Sequence, residues 1–165
     1  MSDAFFPVVT LLSALGCGLV AGIFFAFSTF VMRALARLPG EQGIAAMQSI
    51  NVVVINPVFL LLFLGTAAAC VGLLFYSFFL WSRPGSGFLL AGALLYLVGT
   101  LLVTLICNVP RNNALAGVDP SSVEGLELWT RYLSSWTMWN HVRTVAALAA
   151  AAMLSIGLVI AVPRN

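Results

Sequence analysis

The residues best suited to chemistry lie in one stretch, residues 129–143, which reads W-T-R-Y-L-S-S-W-T-M-W-N-H-V-R. On a single α-helix at ~100° per residue, Trp129, Tyr132, Trp136, Trp139, Asn140 and Arg143 fall on one stripe, within about 60° of Trp136. Arg131 and His141 fall near the opposite side. The stripe joins aromatic walls to an amide and a guanidinium, the make-up of a pocket lining rather than of a plain core. The plainer reading is an aromatic belt at a membrane surface with an arginine reaching out of it. For Asn140 and Arg143 the functional reading is preferred, because ionisable groups inside a membrane span are costly and rarely idle.

A second polar group follows the pattern N-V-P-R-N-N, with Asn108, Arg111 and Asn112 as its candidate ligand-binding residues. Thr100 and Thr104 lead toward Asn108 along one helix face. Gln48, Asn51 and Asn56 approach from an earlier connection. Together these side chains offer many donors and no carboxylate, since Asp3, Glu41, Asp119, Glu124 and Glu127 all fall outside the apolar runs. Such a set suits an anionic or carbonyl-bearing ligand. The alternative is that these residues cap helices and meet lipid phosphates. His141 is the single histidine, which excludes a bis-His haem or a multi-His metal site within one chain. It remains a candidate proton acceptor, although its helical phase separates it from Arg143. No metal site, phosphate loop or dinucleotide fingerprint is present.

These residues must be positioned by membrane helices. Of 165 residues, 62% are hydrophobic and 7% charged, against roughly 25% charged in a soluble domain. Four apolar runs, residues 4–31, 57–81, 87–107 and 136–162, reach the length of about 20 residues that a spanning helix needs. Lipid leaves no partner for free backbone groups, so the runs are predicted to be helices. The expectation is a single all-α domain over residues 1–165, an integral membrane four-helix bundle, multi-pass in the cell membrane if bacterial. The first run is too long for a cleaved signal peptide and lacks a positive leader. All seven basic residues are Arg, and the net charge of +2 is too small to suggest nucleic acid. Cys17, Cys70 and Cys107 sit in apolar runs without zinc-site spacing and read as small buried hydrophobes.

The connections are unequal. Residues 81–86 make a tight turn, whereas residues 33–56 and 108–135 are long and emerge at the same end of the bundle. A short extra helix is expected in each. Residues 41–55 form the first, separate from the next span, with one long helix kinked at Pro57 as the competing geometry; Asn56-Pro57 then caps the next span, with a ligand role for Asn56 as the alternative. The second begins near Ser121 and Glu124, which have capping-box spacing, with a helix running straight into the fourth span as one form of it. The polar end holds Arg33, Arg37, Arg111, Arg131 and Arg143, against Arg83 and Arg164 at the other. The positive-inside rule places the polar end in the cytoplasm; without the candidate site arginines the balance is nearly even. Gly18 and Gly22, with Gly16 and Ala21 beside them, and Gly65, Ala69 and Gly72 in the second span mark faces of close helix approach. These are read as packing within the bundle, with a homo-oligomer face as the alternative.

The first span reads G-L-V-A-G-I-F-F-A-F-S-T-F-V-M-R-A-L, followed by M-Q-S-I-N-V-V-V-I-N-P-V-F, Y-L-V-G-T, N-V-P-R-N-N-A-L and W-N-H-V-R-T. Over nearly the whole chain this resembles the anthrone oxygenase family of small membrane proteins. Its most specific elements are Asn-x-Pro-x-Asn and Trp-x-x-Trp-Asn-x-x-Arg, here Asn108, Pro110, Asn112, Trp136, Trp139, Asn140 and Arg143. The resemblance implies oxidation of a lipophilic phenolic or anthrone-like substrate by dioxygen, without a conventional cofactor. Substrate would enter from the lipid bilayer and stack on Trp136 and Trp139. Arg143, Asn140, Asn108 and Asn112 would hold its oxygen, and His141, Tyr132 or a water would be the base. Two other readings stand beside it: a haem or redox-cofactor protein with His141 as single axial ligand, and a non-enzymatic binder of a lipophilic anion.

Overall fold

The computed structural model describes residues 5–161; Asp3, Arg164 and the outer ends of the first and fourth predicted spans, residues 4 and 162, lie outside them. The described residues contain five helices and no strand. They are α1 (Phe5–Leu35), α2 (Gly40–Val53), α3 (Pro57–Phe79), α4 (Ser86–Ala116) and α5 (Val123–Ala161). All but α2 are long and apolar enough to cross a bilayer. The chain is thus the all-α membrane bundle that its composition requires. α5 packs along α1 and α4, and α3 packs against both α1 and α4, closing a four-helix ring.

The interior is built from small residues. Cys17, Ala21, Ala67, Cys70, Ala93, Ala147 and Ala150 are buried, while Phe25, Leu61, Phe75, Phe78, Val145 and Leu148 point outward. Lipid is as apolar as leucine, so burying bulk gains little; close backbone approach gains van der Waals contact instead. The buried stripe of α1 runs through Ser13, Cys17, Val20, Ala21 and Phe24. Gly18 and Gly22 fall off it, on the exposed face of Leu11 and Leu15, and nothing lies within 4 Å of a Cβ built on Gly18, Gly22 or Gly72. The reading of Gly18, Gly22 and Gly72 as bundle contacts is therefore corrected, whereas Gly16, packed on Thr66, and Ala21, buried, do make the close approach.

Both long connections are helical, in two different ways. In the first, α2 is a separate helix whose Ile44 and Met47 bury against Met32, Leu35, Leu115 and Trp129. This second small core caps one end of the bundle, the mouth. In the second, the neighbouring spans themselves extend. α4 continues past Pro110 to Ala116, beyond its predicted end at residue 107, and the turn directly before the proline, Thr104–Asn108, is wound as π-helix. The wider turn accommodates the proline ring that would clash in a tight α-helix. The Arg111 guanidinium also donates to the Cys107 carbonyl at 2.5 Å. α5 starts at Val123 and is continuous for 39 residues, about 58 Å at 1.5 Å per residue.

The start of α5 lies one residue later than the capping-box spacing suggests. Ser122 Oγ accepts from the Gly125 amide at 3.0 Å. Ser121 is instead drawn to Asp119, whose carboxylate accepts from the Ser121 amide at 2.9 Å and its hydroxyl at 2.8 Å. Those donors hold the Asp119 carboxyl below its ordinary range.

The opposite end is closed by the turn between α3 and α4. Gly85 has φ +85°, and a Cβ there would lie 2.5 Å from the Gly157 carbonyl oxygen on α5. A left-handed backbone costs a non-glycine residue ~1–2 kcal/mol, and the clash would push the turn off α5. Gly85→Ala is expected to destabilise the protein by about 2–4 kcal/mol in total, read as a lowered midpoint of thermal unfolding in detergent. Gly87→Ala, whose nearest neighbour would be Trp81 at 3.8 Å, should leave the midpoint unchanged.

Candidate functional site

The α5 stripe begins in the small core at the mouth. Trp129 stacks on Tyr132, with ring centroids 5.6 Å apart, and Tyr132 on Trp136 at 5.9 Å. Phe27 of α1 flanks Trp136 at 5.9 Å. The ladder follows from positions 129, 132 and 136 repeating at helical spacing, so their rings stand one above the next.

Below the ladder lies Arg143, 4% exposed. Its guanidinium sits 4.1 Å from the centre of the Phe24 ring and 5.2 Å from that of Trp136. It donates to Asn140 Oδ1 at 2.5 Å and to Thr104 Oγ1 at 3.2 Å. Both acceptors are neutral oxygens, and Nε–H has no acceptor. A guanidinium has five N–H donors, so Arg143 is a desolvated cation with donors to spare, held mainly by π-faces.

Asn140, fully buried, fixes the guanidinium from the α1 side. Its Nδ2 donates to the Phe24 carbonyl and to Ser28 Oγ, both at 2.6 Å. Phe24 and Ser28 are one turn apart, and Ser28 lies within the π-helical stretch Phe27–Val31. Thr144 adds a hydroxyl 3.5 Å from Ser28 Oγ.

α4 supplies the facing wall. Asn108 is 1% exposed; its Nδ2 donates to the Trp136 carbonyl at 3.2 Å, and its Oδ1 has no partner. Thr100 Oγ1 is likewise buried and unpartnered. Asn112 Oδ1 accepts from Tyr132 Oη at 2.9 Å and Trp136 Nε1 at 2.7 Å, so one amide holds two rungs of the ladder. Asn51 of α2 lies beside the Tyr132 hydroxyl, and its buried Nδ2 has no partner.

The structure thus brings together Arg143, Asn140, Tyr132, Trp136, Asn108, Asn112 and Asn51. It does not bring four other candidates with them. Asn56 caps α3, its Oδ1 accepting from the Phe59 amide at 3.0 Å, as the sequence favours. Arg111 turns aside to Ser135 Oγ at 3.2 Å and the Cys107 carbonyl. Trp139 is half-buried, one position off the buried line through Trp136, Asn140 and Arg143. His141 is exposed, next to a different pocket of α1 and α5. Phe24, Ser28 and Thr144 belong to the cluster, and sequence reasoning did not single them out. Hydroxyls within apolar spans were the available signal for Ser28 and Thr144; a backbone carbonyl and a ring face, as at Phe24, leave none.

The family model described as anthrone oxygenase matches residues 59–153, more than half of the chain. The match contains Asn108, Asn112, Tyr132, Trp136, Asn140 and Arg143, but not their α1 partners Phe24 and Ser28. No curated protein and no solved structure matches the chain.

Proposed function

Since the chain belongs to the anthrone oxygenase family, we propose that it is a multi-pass protein of the cell membrane that oxidises a lipophilic phenolic or anthrone-like substrate with dioxygen at the Arg143 cluster. The observation that carries this reading is the buried guanidinium itself. Arg143 bonds only neutral oxygens, keeps Nε–H free, and lies between aromatic rings. A site of that kind stabilises negative charge developing on a ligand oxygen far more strongly than water-exposed donors do.

The chemistry follows from the charge. Loss of a proton from the benzylic carbon of an anthrone places negative charge on the ring oxygen, where Arg143 receives it. The unpartnered Asn108 Oδ1 and Thr100 Oγ1 are further groups for a bound ligand to satisfy. Dioxygen, which partitions into lipid, takes an electron from the electron-rich anion and adds to that carbon. Loss of water from the resulting hydroperoxide gives the quinone. One anthrone and one dioxygen thus yield one quinone and one water, and no resident cofactor is needed. A bound water carries the first proton away; Tyr132, whose hydroxyl already donates to Asn112 Oδ1, and His141, on the far side of α5, do not accept it.

Purified full-length protein in detergent or nanodiscs, supplied with an anthrone, should take up one dioxygen per quinone formed. The rate must exceed that of spontaneous oxidation in the same detergent. Binding of the anthrone without protein-dependent oxygen uptake would make the chain a carrier and overturn the proposal.

A further inference from the structure

Ser28 has a second neighbour besides Asn140. On the other side of it, a pocket opens between the mouth end of α1 and α5. Ser28, Arg33, Thr137 and His141 make its polar wall, and Met32 and Leu133 its apolar one. Positions 28 and 32 are one turn apart on α1, and 133, 137 and 141 are successive turns on α5, so the pocket is a slot lying along both helices.

Three donors in this slot, on Arg33, Thr137 and His141, have no hydrogen-bond partner among the described residues. Arg33 is exposed, and no ion pair engages it among the described residues. Thr137 Oγ1 is buried without a partner. Ser28 Oγ is already engaged: it accepts from Asn140 and, because the Thr144 hydroxyl donates to the Asn140 carbonyl, it donates to Thr144 Oγ1 at 3.5 Å. No carboxylate lines the slot. A guanidinium, an imidazole and the free Thr137 hydroxyl around one cavity match the several acceptor oxygens of a phosphate. Depth favours a lipid source. Arg143, two residues below His141, lies ~27 Å along α5 from Ala161, and the hydrocarbon layer is about 30 Å thick. The slot therefore stands where hydrocarbon gives way to head groups, with Ser28 and His141 at its deep end and Met32 and Leu133 nearer the mouth.

We propose that the slot is a second binding site, taking a phosphate-type anion, with the head group of an anionic membrane lipid as its occupant. It is separate from the Arg143 cluster and shares only the Ser28 wall with it. Nothing in it rests on the oxygenase reading, and its test needs no turnover.

Full-length protein in a non-ionic detergent should be titrated with short-chain phosphatidylglycerol, and in parallel with inorganic phosphate, while thermal unfolding is followed. Phosphatidylglycerol should raise the midpoint saturably. Arg33→Gln with His141→Gln should weaken that dependence at least tenfold, and Thr137→Val, which keeps the side-chain shape, severalfold. Arg83→Gln, exposed at the opposite end, should leave it unchanged. If inorganic phosphate alone stabilises the protein with the same sensitivity to variants, the site stands and its source is the free ion. If neither probe stabilises it, or the slot variants respond as the wild type does, the proposal is overturned.

Discussion

Arg143→Met should lower protein-dependent oxygen uptake with an anthrone by roughly 100-fold or more, the loss typical of removing a donor aimed at a developing oxyanion. Stability should hardly change. The variant leaves Asn140 Oδ1 without its 2.5 Å donor, a cost of about 1–3 kcal/mol for a buried acceptor. Against this, it removes a desolvated cation that no carboxylate neutralises, and replacing buried charge by an apolar side chain of similar volume is often neutral or favourable. The two effects oppose each other, so the unfolding midpoint should stay near that of the wild type while activity collapses. Arg143→Lys tests geometry separately from charge. A single ammonium on a flexible stem cannot span Asn140 Oδ1 and Thr104 Oγ1 as the planar fork does, and should recover only part of the rate. Full oxygen uptake by Arg143→Met would remove the site assignment.

Asn140→Ala should do the reverse and strike stability first, by about 3 kcal/mol. Hydrogen bonds between helices in a bilayer average only ~0.6 kcal/mol, so the two Asn140 Nδ2 bonds to α1 do not account for that figure alone. Most of it comes from Arg143, left buried with Thr104 Oγ1 as its one remaining hydrogen-bond partner. A double-mutant cycle checks this. If the charge is the source, Asn140→Ala combined with Arg143→Met should cost less than Asn140→Ala alone, with a coupling of about 1–3 kcal/mol. Additive effects of the two substitutions would show that the amide acts independently of the guanidinium.

Features set by length and phase were legible in the sequence. Apolar runs of spanning length became α1, α3, α4 and α5, and the 100° spacing that put Trp129, Tyr132, Trp136, Asn140 and Arg143 on one stripe is the stripe the helix buries. Asn56-Pro57 capped α3 as its chemistry required. What was hidden depends on neighbours. Pro110 marks the end of a helix in a list of residues, yet π-helical winding and the Arg111 guanidinium carry α4 past it. Gly18 and Gly22 look like a contact motif, yet the phase of Ser13, Cys17 and Ala21 turns them outward. Trp139 matched a family element but sits at the rim of the buried line. Phe24 enters the site through a carbonyl and a ring face, to which residue type is a poor guide.

The order of the partners along the chain bears on how the protein is made. Arg143 rests on Phe24 and Trp136 and bonds Thr104 and Asn140, and Asn140 in turn bonds Phe24 and Ser28. Synthesis proceeds from the N-terminus, so α1 and α4 leave the ribosome before α5. When the last helix enters the bilayer, the carbonyl, hydroxyls and ring that receive its cation are already there. An isolated arginine in hydrocarbon is expensive, and this topology spares the nascent chain that state. Moving the segment of α5 to the front of the gene would keep every contact of the finished bundle, yet would send the arginine into lipid with no one to meet it.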